Sequence, residues 1–220
     1  MFEGSDLSLR HAGRIVLRPS YPVCTARLRL RPLVSADVDS LVGYRSRPEV
    51  CLFVPFEPMD RETVADRVSG RWARQEIVAE GDALFLGVEV ASLGQVVGDV
   101  MLSFASAEHR AGEVGWVLNP DHSGRGYATE AAHAVLHLAF DGLGLHRVVA
   151  RVDVRNDPSL RLAARLGMRR EAHLLANEWF KGEWSDEIDF ALLEEEWEAQ
   201  HHLGGPSWCG IPTTGAPERQ

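Results

Sequence analysis

Three apolar segments, Ala83–Val90, Val96–Phe104 and Glu113–Leu118, follow one another with turns rich in Gly, Ser and His between them. Segments of this length bounded by turn residues read as strands, and short turns between consecutive strands impose antiparallel pairing. The middle of the chain is therefore expected to be an antiparallel meander, and the rest must supply what covers it.

The flanking stretches supply both strands and helices. TARLRLRPL, residues 25–33, alternates Leu28, Leu30 and Leu33 with Arg27, Arg29 and Arg31, a strand with one solvated face. Ser35 is a candidate cap for a helix beginning at Ser-Ala-Asp-Val-Asp. Pro48, Pro55 and Pro58 mark a loop region, and Met59–Glu80 reads as a helix that Asp60 can cap. Thr129–Phe140 is helical, with Ala128, Ala132, Val135, Leu136 and Ala139 on one face. Arg147–Val154 reads as a strand, Ser159–Leu166 as a helix closed by Gly167, and Asp186–Leu193 as a last strand running into an acidic segment. The order implies a mixed α/β fold with helices on both faces of one sheet. Residues 1–22 read as an N-terminal extension holding a short strand at 14–18, residues 23–200 as the domain, and 201–220 as a loose tail.

The 220 residues are 45% hydrophobic, enough for one well-filled core. The net charge of −9 argues against nucleic acid as a partner, because phosphate contacts need clustered Lys and Arg. It is compatible with a cationic substrate. Cys24, Cys51 and Cys209 are odd in number and form no CxxC pair, which favours a reducing, cytoplasmic setting and no zinc knuckle. No signal-peptide order and no apolar run of about 20 residues is present, so no membrane association is expected.

The stretch Ser123-Gly-Arg-Gly-Tyr-Ala-Thr-Glu stands where a strand should turn into a helix. Glycine permits positive φ and close approach of a ligand, and the first helical turn offers unpaired N–H groups and a partial positive charge. Such a turn suits phosphate. A dinucleotide fingerprint would want glycine at position 129 also, where Thr stands, and a Walker loop is absent.

Read together with its surroundings, the turn gains specificity. Glu113-Val-Gly-Trp-Val-Leu-Asn-Pro, SGRGYATEA, RVVARVDV, Asn156-Asp-Pro-Ser159 and RLAARLGM, in this order, resemble the GNAT superfamily of N-acetyltransferases. Arg27-Leu-Arg-Leu-Arg-Pro and Trp184-Ser-Asp186 extend the likeness to the RimJ/RimL-like branch, which acetylates ribosomal-protein N-termini. The resemblance spans about residues 25–197 and implies a mostly antiparallel twisted sheet and acetyl-CoA as cosubstrate, without a metal. The family's pyrophosphate pattern, Q/R-x-x-G-x-G/A, falls on Ser123, Gly126 and Ala128, with Ser in place of Gln or Arg.

What the resemblance implies for residues is as follows. Trp116, Val117 and Leu118 would line the pantetheine arm, with an N–H of Val117 or Leu118 polarising the thioester carbonyl. Gly124, Arg125, Gly126, Tyr127, Ala128 and Thr129 would cradle the pyrophosphate with Ser123. Asn156 and Ser159 would contact the pantetheine arm. Many relatives place a Tyr acid where this chain has Ala163, so Ser159 becomes the candidate to protonate or position the leaving sulfur, alongside a reading as helix N-cap. Glu113 is the candidate base, or an exposed strand-end charge. Asp186 either borders the substrate mouth or anchors a turn.

His133 and His137 share a helix face but lack a metalloprotease's Glu between them, and read as partly exposed helix residues. Trp179, Phe180 and Trp184 read as core, pocket wall or a dimer surface. Glu194-Glu-Glu reads as a solvated helix face. The expected activity is transfer of an acetyl group to a primary amine, a protein N-terminus or a small amine. A non-catalytic acyl-CoA-binding domain is the alternative, and an unrelated nucleotide binder a third. Residues 48–58 and 173–184 are expected to set acceptor specificity.

Overall fold

A computed structural model describes residues 16–201. Eight strands form one sheet: β1 Val23–Cys24, β2 Leu28–Pro32, β3 Ala83–Val90, β4 Gln95–Ser106, β5 Ala111–Leu118, β6 Arg147–Asp153, β7 Arg169–Phe180 and β8 Glu183–Leu193. Their spatial order is β1-β2-β3-β4-β5-β6-β8-β7, antiparallel throughout except for the parallel pair β5–β6. The meander is β3–β4–β5. The helices are α1 Val38–Arg45, α2 Pro48–Cys51, α3 Arg61–Ser69, α4 Tyr127–His137, α5 Asp157–Arg165 and α6 Glu194–His201.

Two apolar clusters fill the two faces of the sheet. One joins Leu28, Leu30, Val114 and Val148 to α4, α5 and Trp197 of α6; the other joins Leu33, Val96 and Trp72 to α1 and α3. This is the mixed α/β arrangement with helices on both faces that the sequence implies. In β2 the pleat buries Leu28 and Leu30, while Arg29 and Arg31 reach Glu89, and Arg31 grips Asp37 with two bonds of 2.7 and 2.9 Å. A one-residue slip would bury the arginines, which fixes the register.

Several boundaries differ from expectation for local reasons. The helix opening near Ser35 is not capped by it: the Asp37 carboxylate accepts the Val34 N–H at 2.9 Å, and α1 follows a 3-10 turn. The proline-marked loop contains the short α2, with Pro48 at its first turn. Asp60 caps α3 by accepting the Thr63 N–H at 2.8 Å, but α3 ends before Gly70 rather than running to Glu80. On α4 the buried face is wider than one stripe, taking in Ala131 and Ala134, and a π-helical turn over Leu138–Gly142 follows. Strand β7 stands where the sequence pattern marks no element. It returns to β8 through Lys181 and Gly182, whose φ values of 55° and 80° are those of a two-residue hairpin turn.

Of the expected strand at 14–18, positions 14 and 15 lie outside the described residues. Leu17 forms an isolated bridge with Ile77 and is fully buried in the core. The tail beyond residue 201 and Cys209 also lie outside the described residues.

Candidate active site

The site begins where the sheet opens. β5 and β6 pair only at Ala111↔Arg147, Gly112↔Val148 and Glu113↔Val149. Beyond Glu113 the two strands run on without a ladder between them, and the gap is a cleft of about 910 Å³ that reaches both faces of the sheet. Alternation along β5 sorts its side chains: Val114, Trp116 and Leu118 join the cluster under α4 and α5, and Val117 joins the cluster under α1 and α3.

The backbone of β5 is sorted too. Asn119 N–H donates to Val97 O at 2.9 Å, and the β4–β5 register pairs Gly98 with Leu118, Asp99 with Val117 and Val100 with Trp116. In an antiparallel ladder, bonded and non-bonded pairs alternate. Val117 therefore bonds to β4, whereas Trp116 and Leu118 turn their N–H and C=O groups away from β4, to the side where β6 has parted from β5.

The glycine turn follows β5 and leads into α4. Gly124 and Gly126 have φ values of 74° and 78°, so both positions need the left-handed freedom that only glycine has without strain. Gly126 is the N-cap of α4, and Glu130 N–H donates to its carbonyl at 3.1 Å. Ser123, Arg125 and both glycines are exposed, and Tyr127, Ala128 and Thr129 are half-buried. Arg27 braces the turn: its guanidinium donates to Arg125 O at 2.9 Å, pairs with Glu130 at 2.6 Å and lies 4.9 Å over the Tyr127 ring. These hydrogen bonds from Arg27 and Thr25 hold the Glu130 carboxyl below its ordinary pKa against the opposing effect of burial, the largest single influence. The result is a first helical turn with exposed N–H groups, no Cβ at its N-cap and a rigid support beneath, a good fit to a phosphate-bearing ligand.

On the same face, Ser159 meets Trp116, and Asn156 lines the cleft beside them. The Trp116 Nε1–H donates to Ser159 Oγ at 3.1 Å. Indole is a donor only, so Ser159 accepts this bond and its own hydroxyl proton is left to give elsewhere. Ser159 is not the helix cap. Asn156 is, its side-chain oxygen accepting the Ser159 N–H at 3.3 Å, which leaves its NH₂ group for a ligand. Ala163, where many relatives have Tyr, is fully buried.

On the opposite face the cleft is charged. Glu113 pairs with Arg151 at 3.0 Å, and burial pushes its carboxyl above the ordinary carboxylate range, Arg151 opposing this in part. Sequence reasoning missed Glu187 and Asp189, which the register Arg151↔Asp189 brings to the same guanidinium at 3.7 and 3.8 Å. The signal available was acidic residues at alternate positions of an otherwise apolar strand. Glu187 is 8% exposed; Asn177 donates to its Oε2 at 2.9 Å, Oε1 has no hydrogen bond, and burial raises its pKa. Also missed was the buried trio Tyr44, Arg45 and Asp99, of which Arg45 and Asp99 line this wall.

The mouth is formed by the two segments expected to set specificity: Phe53, Val54, Pro55 and Phe56 from one, Leu174 and Asn177 from the other. Arg155 ties them together, chelating Asp153 at 2.7 and 2.9 Å, pairing with Glu183 at 2.5 Å and lying 5.5 Å over Phe53. Asp186 lines the cleft and also anchors β7, accepting from Ala176 N at 2.8 Å and meeting His173 Nε2 at 3.0 Å.

Three other readings change. His137 is buried, and His133 and His137 lie against Trp197 with ring centroids 5.1 and 4.7 Å away. Trp179 and Trp184 are 58% and 60% exposed, edge-to-face at the hairpin tip, so neither is core. Glu196 is no merely solvated charge: it accepts the Leu193 N–H at 2.9 Å and pairs with Arg169. Among the described residues no helix is long and apolar enough to cross a membrane, and no metal-binding cluster of His, Cys, Asp or Glu is found.

A parallel pair that parts beside a glycine-headed helix defines a protein built to take a phosphate-bearing ligand, and comparison with known proteins gives the family. Residues 27–169 match the acetyltransferase (GNAT) domain. The chain is 32% identical over 180 residues to the uncharacterized N-acetyltransferase YnaD of Bacillus subtilis, covering 80% of this chain and 98% of that protein. A GNAT-family acetyltransferase structure from Bacillus anthracis superposes with a TM-score of 0.70 at 30% identity, covering 79% of this chain and 99% of that one. The spermidine N-acetyltransferase of Vibrio cholerae, solved with CoA and spermine, shares the fold at TM-score 0.67 and 21% identity, over 79% of this chain and 99% of its own. The chain belongs to the GNAT family of acetyltransferases. It is an N-acetyltransferase, and its family uses acetyl-CoA.

Proposed function

We propose that the protein moves the acetyl group of acetyl-CoA to a primary amine by direct attack in a ternary complex, with the cosubstrate on the α4–α5 face of the cleft and the amine on the other. The observation that carries this is the parting of β5 from β6 beside the exposed, glycine-headed start of α4. Acetyl-CoA supplies the thioester carbon that the amine attacks.

Each residue then has a task. Ser123, Gly124, Arg125, Gly126, Tyr127, Ala128 and Thr129 hold the pyrophosphate, with Arg125 adding the positive charge that Ser123 cannot. The outward N–H and C=O groups of Trp116 and Leu118 pair with the pantetheine arm, and the Leu118 N–H, rather than that of Val117, is oriented to polarise the thioester carbonyl. Asn156 offers its NH₂ group to the arm. Ser159, already accepting from Trp116, hydrogen-bonds the departing sulfur and relays to it the proton that the attacking nitrogen sheds as the tetrahedral intermediate collapses to amide and CoASH. Glu113 takes the proton from the acceptor ammonium, directly or through water, its raised pKa bringing it nearer to neutral pH.

The same reading places the chain in the RimJ/RimL-like branch, with protein N-termini or small amines as acceptors. It takes residues 23–200 as the catalytic unit, in the cytoplasm; Cys24 and Cys51 form no disulfide.

Calorimetric titration with acetyl-CoA tests it, followed by thiol release with a panel of amines. Micromolar binding that disappears in Gly126→Asp, which adds a negative charge and a strained Cβ at the N-cap, is the expected result. Absence of binding by folded wild-type protein would remove the mechanism.

A further inference from the structure

The acceptor face of the cleft carries both signs of charge, at opposite ends. The register lines up Phe85, Met101 and Gly115 across β3, β4 and β5, with Glu113 two residues from Gly115 on the same face. At the β5–β8 end three carboxylates, Glu113, Glu187 and Asp189, share one guanidinium, that of Arg151. Glu187 lines the cleft and is more than nine-tenths buried, and among the described residues its Oε1 accepts no hydrogen bond and has only Arg151 Nε, at 3.7 Å, as its ion-pair partner. Three carboxylates against one guanidinium leave this end negative, a receptor for an ammonium group.

The β3 end is the reverse. Arg67 and Arg71 both line the cleft, with guanidinium carbons 5.9 Å from the Trp72 ring centre and 5.0 Å from that of Phe85. Their neighbours on the same segment, Arg61 and Arg74, are each paired with a carboxylate, Asp39 and Asp82. Among the described residues Arg67 and Arg71 have no ion pair, in a chain whose acidic residues outnumber Lys and Arg by 32 to 23. Guanidiniums laid on aromatic faces keep their donor edges free, and those edges match a carboxylate. A polyamine lying along this floor would set a cationic centre against both arginines.

We propose that the acceptor is an amino carboxylate, its amine received by the Glu113–Glu187–Asp189 end and its carboxylate by Arg67 and Arg71. Gly115 keeps the floor between them open, since a Cβ there would stand 3.3 Å from Met101 Cε. Phe85 and Gly115 are two strands apart, about 10 Å, and β8 lies two strands beyond β5, so the two ends stand about 10–20 Å apart. This names the acceptor class of the proposed transferase and rests on that reading.

The test uses the full chain saturated with CoA for calorimetry and with acetyl-CoA for thiol release. The probes are ω-amino carboxylates of increasing chain length, each against its carboxamide, with spermidine alongside. An intermediate chain length binds best, and its carboxylate beats its carboxamide about tenfold or more. Arg67→Gln and Arg71→Gln each shrink that preference by raising Kd and KM for the carboxylate, and Arg71→Glu moves it towards spermidine. Equal affinity for carboxylate and carboxamide, spermidine as the best probe, no binding by any probe, or a preference untouched in all three variants would overturn the proposal. The two readings fail separately. Acetylation of amines without carboxylate preference sinks the acceptor class and leaves the transferase. Carboxylate-selective binding without thiol release does the opposite.

Discussion

Asp99→Ala tests how the acceptor wall is held. Arg45 and Asp99 are each 3% exposed, and the Asp99 carboxylate accepts from Tyr44 OH at 2.5 Å, Arg45 Nη2 at 2.5 Å and Arg45 Nε at 3.1 Å. Removing one partner of a buried ion pair leaves the other charge uncompensated, at a cost of about 3–5 kcal/mol. The Tyr44 hydroxyl would lose its acceptor as well, about 1–3 kcal/mol more. Against this, Arg45 lies between Phe56 and Trp72, 4.8 and 4.5 Å from their ring centres, and the rings retain about 1–2 kcal/mol of the cation's stabilisation. The balance is a loss of about 4 kcal/mol, a large fraction of a domain's usual stability. Equilibrium urea unfolding of wild type and variant measures it. The triple variant Tyr44→Phe, Arg45→Met, Asp99→Leu, which removes both charges and the hydroxyl, should recover most of the loss, because an apolar replacement of a whole buried pair is often neutral. A loss below about 1 kcal/mol in Asp99→Ala would refute the reasoning, as would a triple variant no more stable than the single one. Because Met59 N–H donates to Arg45 O at 2.9 Å and Asp99 is paired with Val117, the single variant should also raise KM for the amine more than for acetyl-CoA.

Ser159→Ala should lower kcat at least about a hundredfold with a small change in acetyl-CoA affinity, read by thiol release and calorimetry; an unchanged kcat would leave Ser159 only as a partner for Trp116. Glu113→Gln should remove the acidic limb of the kcat/KM profile, which in the wild type lies above the ordinary carboxylate range because burial raises this pKa. The folded state then holds Glu113's proton more tightly than the unfolded chain does, so this residue withdraws stability as pH rises between the two pKa values, and Glu113→Gln flattens that part of the stability curve. Glu171 has the opposite sign: hydrogen bonds chiefly from Arg147, then Arg169, lower its pKa to about 2, so its contribution is full above its unfolded pKa and is lost as pH falls towards about 2. As the pair is partly exposed, Glu171→Gln should cost no more than about 1 kcal/mol at neutral pH in thermal unfolding, and nothing below pH of about 2.

The fold was legible wherever one local rule sufficed. Strands β3, β4 and β5 announce themselves because each segment is apolar and ends in turn residues. Gly167 marks the end of α5 through its φ of 76°, a demand the backbone makes on the residue itself. Strand β7 was not legible, because Arg169–Phe180 does not alternate cleanly and its ladder to β8 shifts register twice, with Ala176 at a φ of 46°. It is a strand because β8 offers it an edge, and that is a tertiary fact. The helix expected from Met59 runs past the real end of α3 because Trp72 and Ile77 continue an apolar spacing across Gly70. The chain breaks there, and Ile77 goes to the bridge with Leu17 instead.

The two faces of the active site differ in legibility for the same reason. The cosubstrate face is written locally: Gly124 and Gly126 are required by their own φ values, and Asn156 by the N–H it caps three residues on. The acceptor face is written in register. Glu187 and Asp189 are 74 and 76 positions beyond Glu113, and nothing in either segment points to the other. They share a guanidinium only because β5 meets β6 in parallel for three residues and β6 meets β8 with Arg151 opposite Asp189. A shift of one residue in either ladder would turn these carboxylates to the other face, under α4 and α5, where the apolar cluster has no cation to receive them. The register that buries the core is thus the one that assembles the charged end of the cleft, so the acceptor site cannot be altered strand by strand without also repacking the sheet.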